Sequence, residues 1–130
     1  MLRFKDWTLG DLEMAVCNAL WDAGEADVRT MHEQVGAPRG IASNTVQSTL
    51  ERLYRKNLLR RRKVSHAFVY SPAISREVFA AGVLDSVASA LGGAQPLLSA
   101  FAQHSAHVDV DTLDQLEAMV RELRERQREG

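Results

Sequence analysis

Residues 43–72 read SNTVQSTLERLYRKNLLRRRKVSHAFVYSP, a segment whose two halves carry different periods. Its first half has helical period: Val46, Leu50 and Leu53 fall on one face, with Tyr54 at the edge of it. Asn44, Ser48, Glu51, Arg52 and Arg55 fall on the opposite side at about 100° per residue. The helix is expected to begin as a capped turn at Ser43 and to stop at Asn57, a residue type that accepts the left-handed conformation after a helix. Residues 58–64 and 67–71 then read as two strands around a short turn at Ser65–His66, and Phe68 and Tyr70 alternate as a half-buried strand requires. Pro72 closes the ribbon.

Working upstream, residues 37–42 hold Pro38 and Gly40, a turn of the length that joins two packed helices. A helix before that turn is expected to start on Asp27 as its cap, bury Val28, Met31 and Val35, and end at Gly36. A first helix is expected over residues 9–23. Thr8 would be its N-cap, Trp7 and Leu12 a hydrophobic staple, and Leu9, Leu12, Val16, Ala19 and Leu20 its apolar face, with Gly24 the stop. A short extended link at residues 25–26 separates the two. The order is helix, short strand, helix, turn, helix, hairpin. The fold class is therefore mainly α with a small β-wing, a winged helix-turn-helix over residues 1–73.

Downstream, residues 74–130 return to helical period. Val78, Phe79, Val83, Leu84 and Val87 form a broad apolar face that Gly92 and Gly93 interrupt, and residues 96–106 suggest a short helix. Asp109 or Asp111 would cap a last helix with Leu113, Leu116, Val120 and Leu123 spaced 3-4-3, as in a helix-pairing seam. So few helices cannot enclose a core alone. The C-terminal unit is thus expected to be a helical dimerisation domain, with Val83, Leu84, Val87, Leu113, Leu116, Val120 and Leu123 at the interface of a homodimer.

Charge points to the partner. The chain of 130 residues has a net charge of −1, but that average hides a pattern. Residues 39–76 carry nine basic groups and one acidic, a local charge of +8, whereas residues 1–38 carry three and seven and residues 77–130 four and nine. Seven of the sixteen Lys and Arg residues lie between Arg52 and Lys63. A polar-faced helix followed by a basic ribbon suits a DNA groove and the phosphates beside it. Ser43, Asn44, Thr45, Gln47 and Ser48 lie in the first turns of that helix, the end that usually meets base edges. Asn and Gln can pair bidentately with adenine; Arg52 and Arg55 suit bases or phosphates, phosphate before bases.

Arg60, Arg61, Arg62 and Lys63 alternate across the ribbon, so not all can face DNA. Arg62, Lys63 and, at the turn, His66 are the candidate contacts, although His66 reads equally well as an exposed, uninvolved loop residue and Arg60 and Arg61 as a solvated face. A module that turns this basic face to an acidic protein partner is the alternative. It would want an exposed apolar patch on the same face, and none is visible in the sequence.

Other chemistry is thin. A single cysteine, Cys17, excludes an internal disulfide or a multi-thiolate metal site, and its flank position on the first helix reads as packing rather than as a redox switch. His104, His107, Asp109 and Asp111 have a spacing that metal donors can take, but they read first as a helix end followed by an N-cap, and no metal site is expected. No nucleophile–base pair, phosphate loop or HExxH motif is present, so neither catalytic residues nor a cofactor are expected. The start MLRFKDW lacks the apolar core of a secretory signal, and Asp85 interrupts the most apolar run. No membrane insertion and a cytoplasmic location are the expectation.

The residues LGDLEMAVCNALW near the start, NTVQSTLERLYRKNLL, FVYSPAISRE and VDVDTLDQLEAMVREL together resemble the BlaI/MecI/CopY repressor family, also called the penicillinase-repressor family. The resemblance covers nearly the whole chain. It implies a homodimeric transcriptional repressor on an inverted-repeat operator, with the N-terminal winged helix on double-stranded DNA and the C-terminal helices forming the dimer. Several members are relieved through a membrane-bound sensor protease that leads to cleavage in the C-terminal helical region, which makes such a protease an implied partner. This chain departs from the family in three places. It lacks the paired C-terminal cysteines of the copper-responsive branch. Its wing turn is Ser65-His66-Ala67 where many members place a glycine. Ser99-Ala100-Phe101 lies where the proteolysed members are cut, without an Asn-Phe bond.

Overall fold

The computed structural model describes residues 9–104 and 107–130. The elements run α1 (Asp11–Ala23), β1 (Ala26–Asp27), α2 (Val28–Met31), α3 (Ser43–Arg55), β2 (Leu59–Val64), β3 (Ala67–Pro72), α4 (Arg76–Ala90), α5 (Ala94–His104) and α6 (Val110–Glu129). The mainly α architecture with a β-wing is as the sequence suggested.

Helix α1 starts two residues later than its apolar pattern implied. Gly10 is its N-cap, and the Gly10 N–H donates to Glu13 Oε1 at 3.3 Å. Thr8 and Trp7, the expected cap and staple, lie outside the described residues. Val16, Cys17 and Leu20 are its buried residues.

The ribbon is part of a three-stranded antiparallel sheet of order β1-β3-β2. What read as an extended link is a strand in which Ala26 pairs with Tyr70 and Asp27 with Val69. Asp27 also caps α2, accepting from the Thr30 N–H at 2.8 Å, and that bond holds its carboxyl below the usual carboxylate range.

Past Met31 the helix widens into a π-helical turn, His32–Gly36, and then tightens into a 3-10 turn, Ala37–Arg39. Gly36 therefore does not terminate the helix in a left-handed conformation; Gly40, at φ 67°, does. Gly36 is required for another reason. A Cβ there would lie 2.6 Å from Val46 Cγ2 and 2.8 Å from His32 Cδ2, so α3 packs directly on this backbone. His32 Nε2 lies 3.0 Å from the Ile41 carbonyl oxygen and ties the same turn together. Gly36→Ala is expected to cost about 1–3 kcal/mol of stability by overpacking, read as a lower denaturation midpoint with an unchanged slope.

The core gathers Val16, Leu20, Met31, Val46, Leu50 and Leu53, all fully buried, and closes over Leu58, Leu59 and Tyr70. Val28, expected inside, is only partly buried against it. Helix α4 joins this core at its beginning: Phe79 is buried, its ring centroid 5.4 Å from that of Trp21. The Trp21 indole N–H donates to the Ile74 carbonyl at 3.0 Å, and Arg76 pairs with Asp22 at 3.1 Å.

Beyond this point the apolar face opens to solvent. Leu84, Val87 and Leu91 of α4 and its end are exposed, as are Leu98 and Phe101 of α5, which meets α4 at 107°. Helix α6 has no buried residue. Asp109 is its cap, accepting from the Thr112 N–H at 2.7 Å, a bond that lowers the carboxyl pKa. No single described helix is long and apolar enough to cross a membrane.

Candidate nucleic-acid interface

Helix α3 divides cleanly. Val46, Thr49, Leu50 and Leu53 point inward, and the Thr49 hydroxyl satisfies itself by donating to the Thr45 carbonyl at 2.8 Å. Ser43, Asn44, Thr45, Gln47, Ser48, Arg52 and Arg55 are all exposed. The expected side-chain cap is absent: Ala42 occupies the N-cap with no side-chain bond. Ser43 and Asn44 therefore sit inside the first turn. Capping does not explain them.

The far end of α3 is fixed to the body of the protein. Lys56 pairs with Glu13 at 3.3 Å across a half-buried contact that joins the C-terminus of α3 to the first turn of α1. Asn57 takes φ 65°, the left-handed stop that its residue type favours. The chain then enters β2 with Leu58 and Leu59 buried, which anchors the wing to the core.

On the wing, pairing of Arg61 with Tyr70 and of Lys63 with Phe68 puts Leu59, Arg61 and Lys63 on the face toward the core, and Arg60, Arg62 and Val64 on the other. Arg62 makes an exposed two-oxygen pair with Glu25 at 3.0 and 3.1 Å. Arg55 makes an exposed pair with Glu51 at 2.8 Å. Such surface pairs are weak and exchange readily for phosphate. Lys63 and His66 are exposed near the tip, where Ser65 at φ 58° holds the left-handed position often given to glycine. The structure thus leaves the α3 residues on the exposed side of the helix and the wing cations on both faces of the ribbon, whose tip residue Ala67 lines a surface hollow with Ser43 at the start of α3.

Arg61 was indistinguishable from a solvated charge in the sequence. Its guanidinium carbon lies 4.0 Å from the Tyr54 ring centroid and 4.1 Å from that of Phe68. The signal that could have found it is a tyrosine at the edge of α3 together with aromatic residues at i and i+2 on β3.

Cys17 is buried, and burial together with the Glu13 carboxylate pushes its thiol up to about 12, against which Lys56 acts weakly. It is a packing residue. The folded protein is expected to resist alkylation at pH 8 and to react once denatured, which a timed iodoacetamide quench with mass spectrometry measures. Among the described residues no three His, Cys, Asp or Glu side chains are grouped to hold a metal; His104 ends α5, and Asp109 serves as the α6 cap.

The sequence profile described as penicillinase repressor matches residues 9–122. The transcriptional regulator BlaI of Mycobacterium tuberculosis is 37% identical over 119 residues, which cover 88% of this chain and 84% of that protein. In fold the chain is similar to YusO of Bacillus subtilis, with a TM-score of 0.53 at 14% identity, covering 95% of this chain and 79% of that one. It is similar also to a homodimeric winged helix-turn-helix DNA-binding domain from Mycobacterium bovis, with a TM-score of 0.51 at 17% identity, covering 82% and 84%. With the winged helix in place and the profile spanning nearly the whole described chain, the protein belongs to the penicillinase repressor family.

Proposed function

We propose that this DNA-binding transcriptional repressor works as a homodimer on an inverted-repeat operator, with one α3 in the major groove of each half-site. The observation that carries the proposal is the exposed polar start of α3, free of capping duty, beside a basic wing. Asn44, Gln47 and Ser48 read base edges; Ser43 and Thr45 support them; Arg52, Arg55, Arg62, Lys63 and His66 hold phosphates. Repression follows from occupying the promoter against polymerase.

Residues 74–130 form the dimerisation unit. Its support is the run of exposed apolar side chains on one protomer: Leu84, Val87, Leu113, Leu116, Val120 and Leu123 are 38–54% accessible, an arrangement that a second chain would cover. Val83 lies at the inner edge of this surface, packed against the core. Relief by a sensor protease would act on α5, where the Ala100–Phe101 bond lies and Phe101 is exposed. A cut there separates α6 from the winged helix.

Selection of bound duplexes from a random pool tests the proposal. It is expected to return an inverted repeat whose half-site centres lie about 10 base pairs, or a multiple, apart. A pool that converges on no motif, or on a single unpaired half-site, contradicts it.

A further inference from the structure

We infer that Arg61 is a positioning residue: its guanidinium, lying over the rings of Tyr54 and Phe68, locks the wing to the recognition helix at the spacing the DNA requires. The inference rests on the proposed use of α3 and the wing on DNA.

The geometry is specific. Tyr54 stands in the last turn of α3, Phe68 on β3 and Arg61 on β2, so one side chain joins three elements. The guanidinium carbon is 4.0 Å from one ring centroid and 4.1 Å from the other, well inside the range of cation–π attraction. The chain of rings continues inward, because Phe68 meets Tyr70 edge-on at a centroid distance of 6.4 Å, and Tyr70 is buried in the core. Among the described residues, little else ties down the ribbon tip. Val64 and Phe68 are exposed, and the outer-face tie of Arg62 to Glu25 is a solvent-screened pair. The tilt of the tip, and with it Lys63 and His66, therefore depends on how Arg61 grips the two rings.

A planar guanidinium can lie over two rings at once, whereas an ammonium is a compact, strongly hydrated charge. Lysine keeps the charge and loses the clamp. This separates positioning from simple phosphate binding, which lysine would still provide.

The test compares wild type with Arg61→Lys, Phe68→Leu and the conservative Phe68→Tyr, all as full-length protein. Two readouts are used. The first needs no DNA: spin labels at Ser48→Cys and Ala67→Cys, with labelled chains diluted into unlabelled ones, report the distance from helix to wing. Cys17 stays unlabelled because it is buried and its thiol is pushed up to about 12. Wild type and Phe68→Tyr are expected to give one narrow distribution, and Arg61→Lys and Phe68→Leu a broad one, with melting temperatures unchanged. The second readout is affinity for the selected operator, expected to fall about tenfold in Arg61→Lys and Phe68→Leu, with a shallower salt dependence as Lys63 and His66 lose register.

A narrow, unshifted distribution in Arg61→Lys overturns the inference, as does broadening without loss of operator affinity. If wild type binds no operator, the proposed function fails, and the distance measurement still judges the clamp by itself.

Discussion

Leu116→Asp combined with Val120→Asp is expected to yield a folded monomer whose operator affinity is lower by about a hundredfold or more. Both side chains lie on the exposed 3-4-3 seam of α6, at 38% and 46% accessibility. No residue of α6 is buried among the described residues of its own protomer, so the substitutions leave the winged-helix core intact. At a paired seam, each loses about 1.5–3 kcal/mol of apolar burial per protomer and adds a carboxylate that must be desolvated. The effect on DNA is large because a dimer presents its second α3 as an intramolecular ligand. Loss of that linkage removes a factor of about 10² to 10⁴ in avidity. Sedimentation velocity gives the oligomeric state, circular dichroism the fold and anisotropy the affinity. A stable dimer in the double variant would remove α6 from the interface.

Asn44→Ala combined with Gln47→Ala is expected to abolish discrimination between operator and scrambled DNA while leaving non-specific binding nearly unchanged. Each bidentate base pairing is worth about 1–3 kcal/mol, and a dimer would lose both of them twice. Neither substitution removes a helix cap, since Ala42 holds that place without a side-chain bond, so loss of α3 itself is not a competing cause. Arg52→Ala with Arg55→Ala should behave differently. It weakens binding to both DNAs and lowers the salt slope by about 0.9 for each phosphate no longer neutralised, enough to abolish tight operator binding at physiological salt. Competition binding at two salt concentrations separates the patterns. Intact discrimination after Asn44→Ala and Gln47→Ala would place base readout elsewhere on the protein.

Much of the fold was legible because α3 and the ribbon carry two different periods side by side. Val46, Leu50 and Leu53 repeat at 3.6, while Phe68 and Tyr70 repeat at 2, and Asn57 punctuates the change. Thr49 escaped the reading, since a buried hydroxyl that bonds its own helix looks like any polar residue. Strand β1 was legible only as a link, because two residues carry no alternation; the sheet partner Tyr70 makes it a strand. The π-helical turn was hidden for a related reason. Met31 and Val35 keep helical spacing in either geometry, so the apolar pattern carries no mark of the wider turn.

The candidate interface divides the same way. Exposure of Asn44, Gln47, Ser48, Arg52 and Arg55 follows from the amphipathic pattern of a single helix. What each arginine of the ribbon does could not follow from a charge run. Arg61 lies over two rings and Arg62 reaches Glu25, both through neighbours far apart in sequence, whereas Arg60 and Lys63 are exposed on opposite faces of the ribbon. The apolar pattern of α6 was readable as a seam, yet none of its residues is buried among the described residues of one protomer, so its occupant could not be read from the chain itself.

Sequence-specific DNA binding through α3 and the wing is measured by fluorescence anisotropy of the protein against duplex from its own upstream intergenic region, with a scrambled duplex as control, across a salt series. Tight binding to the native fragment alone, with a log–log salt slope near −7 for about eight neutralised phosphates per dimer, is the expected result. Equal and weak binding to both duplexes, together with no motif from the random-pool selection, would contradict it.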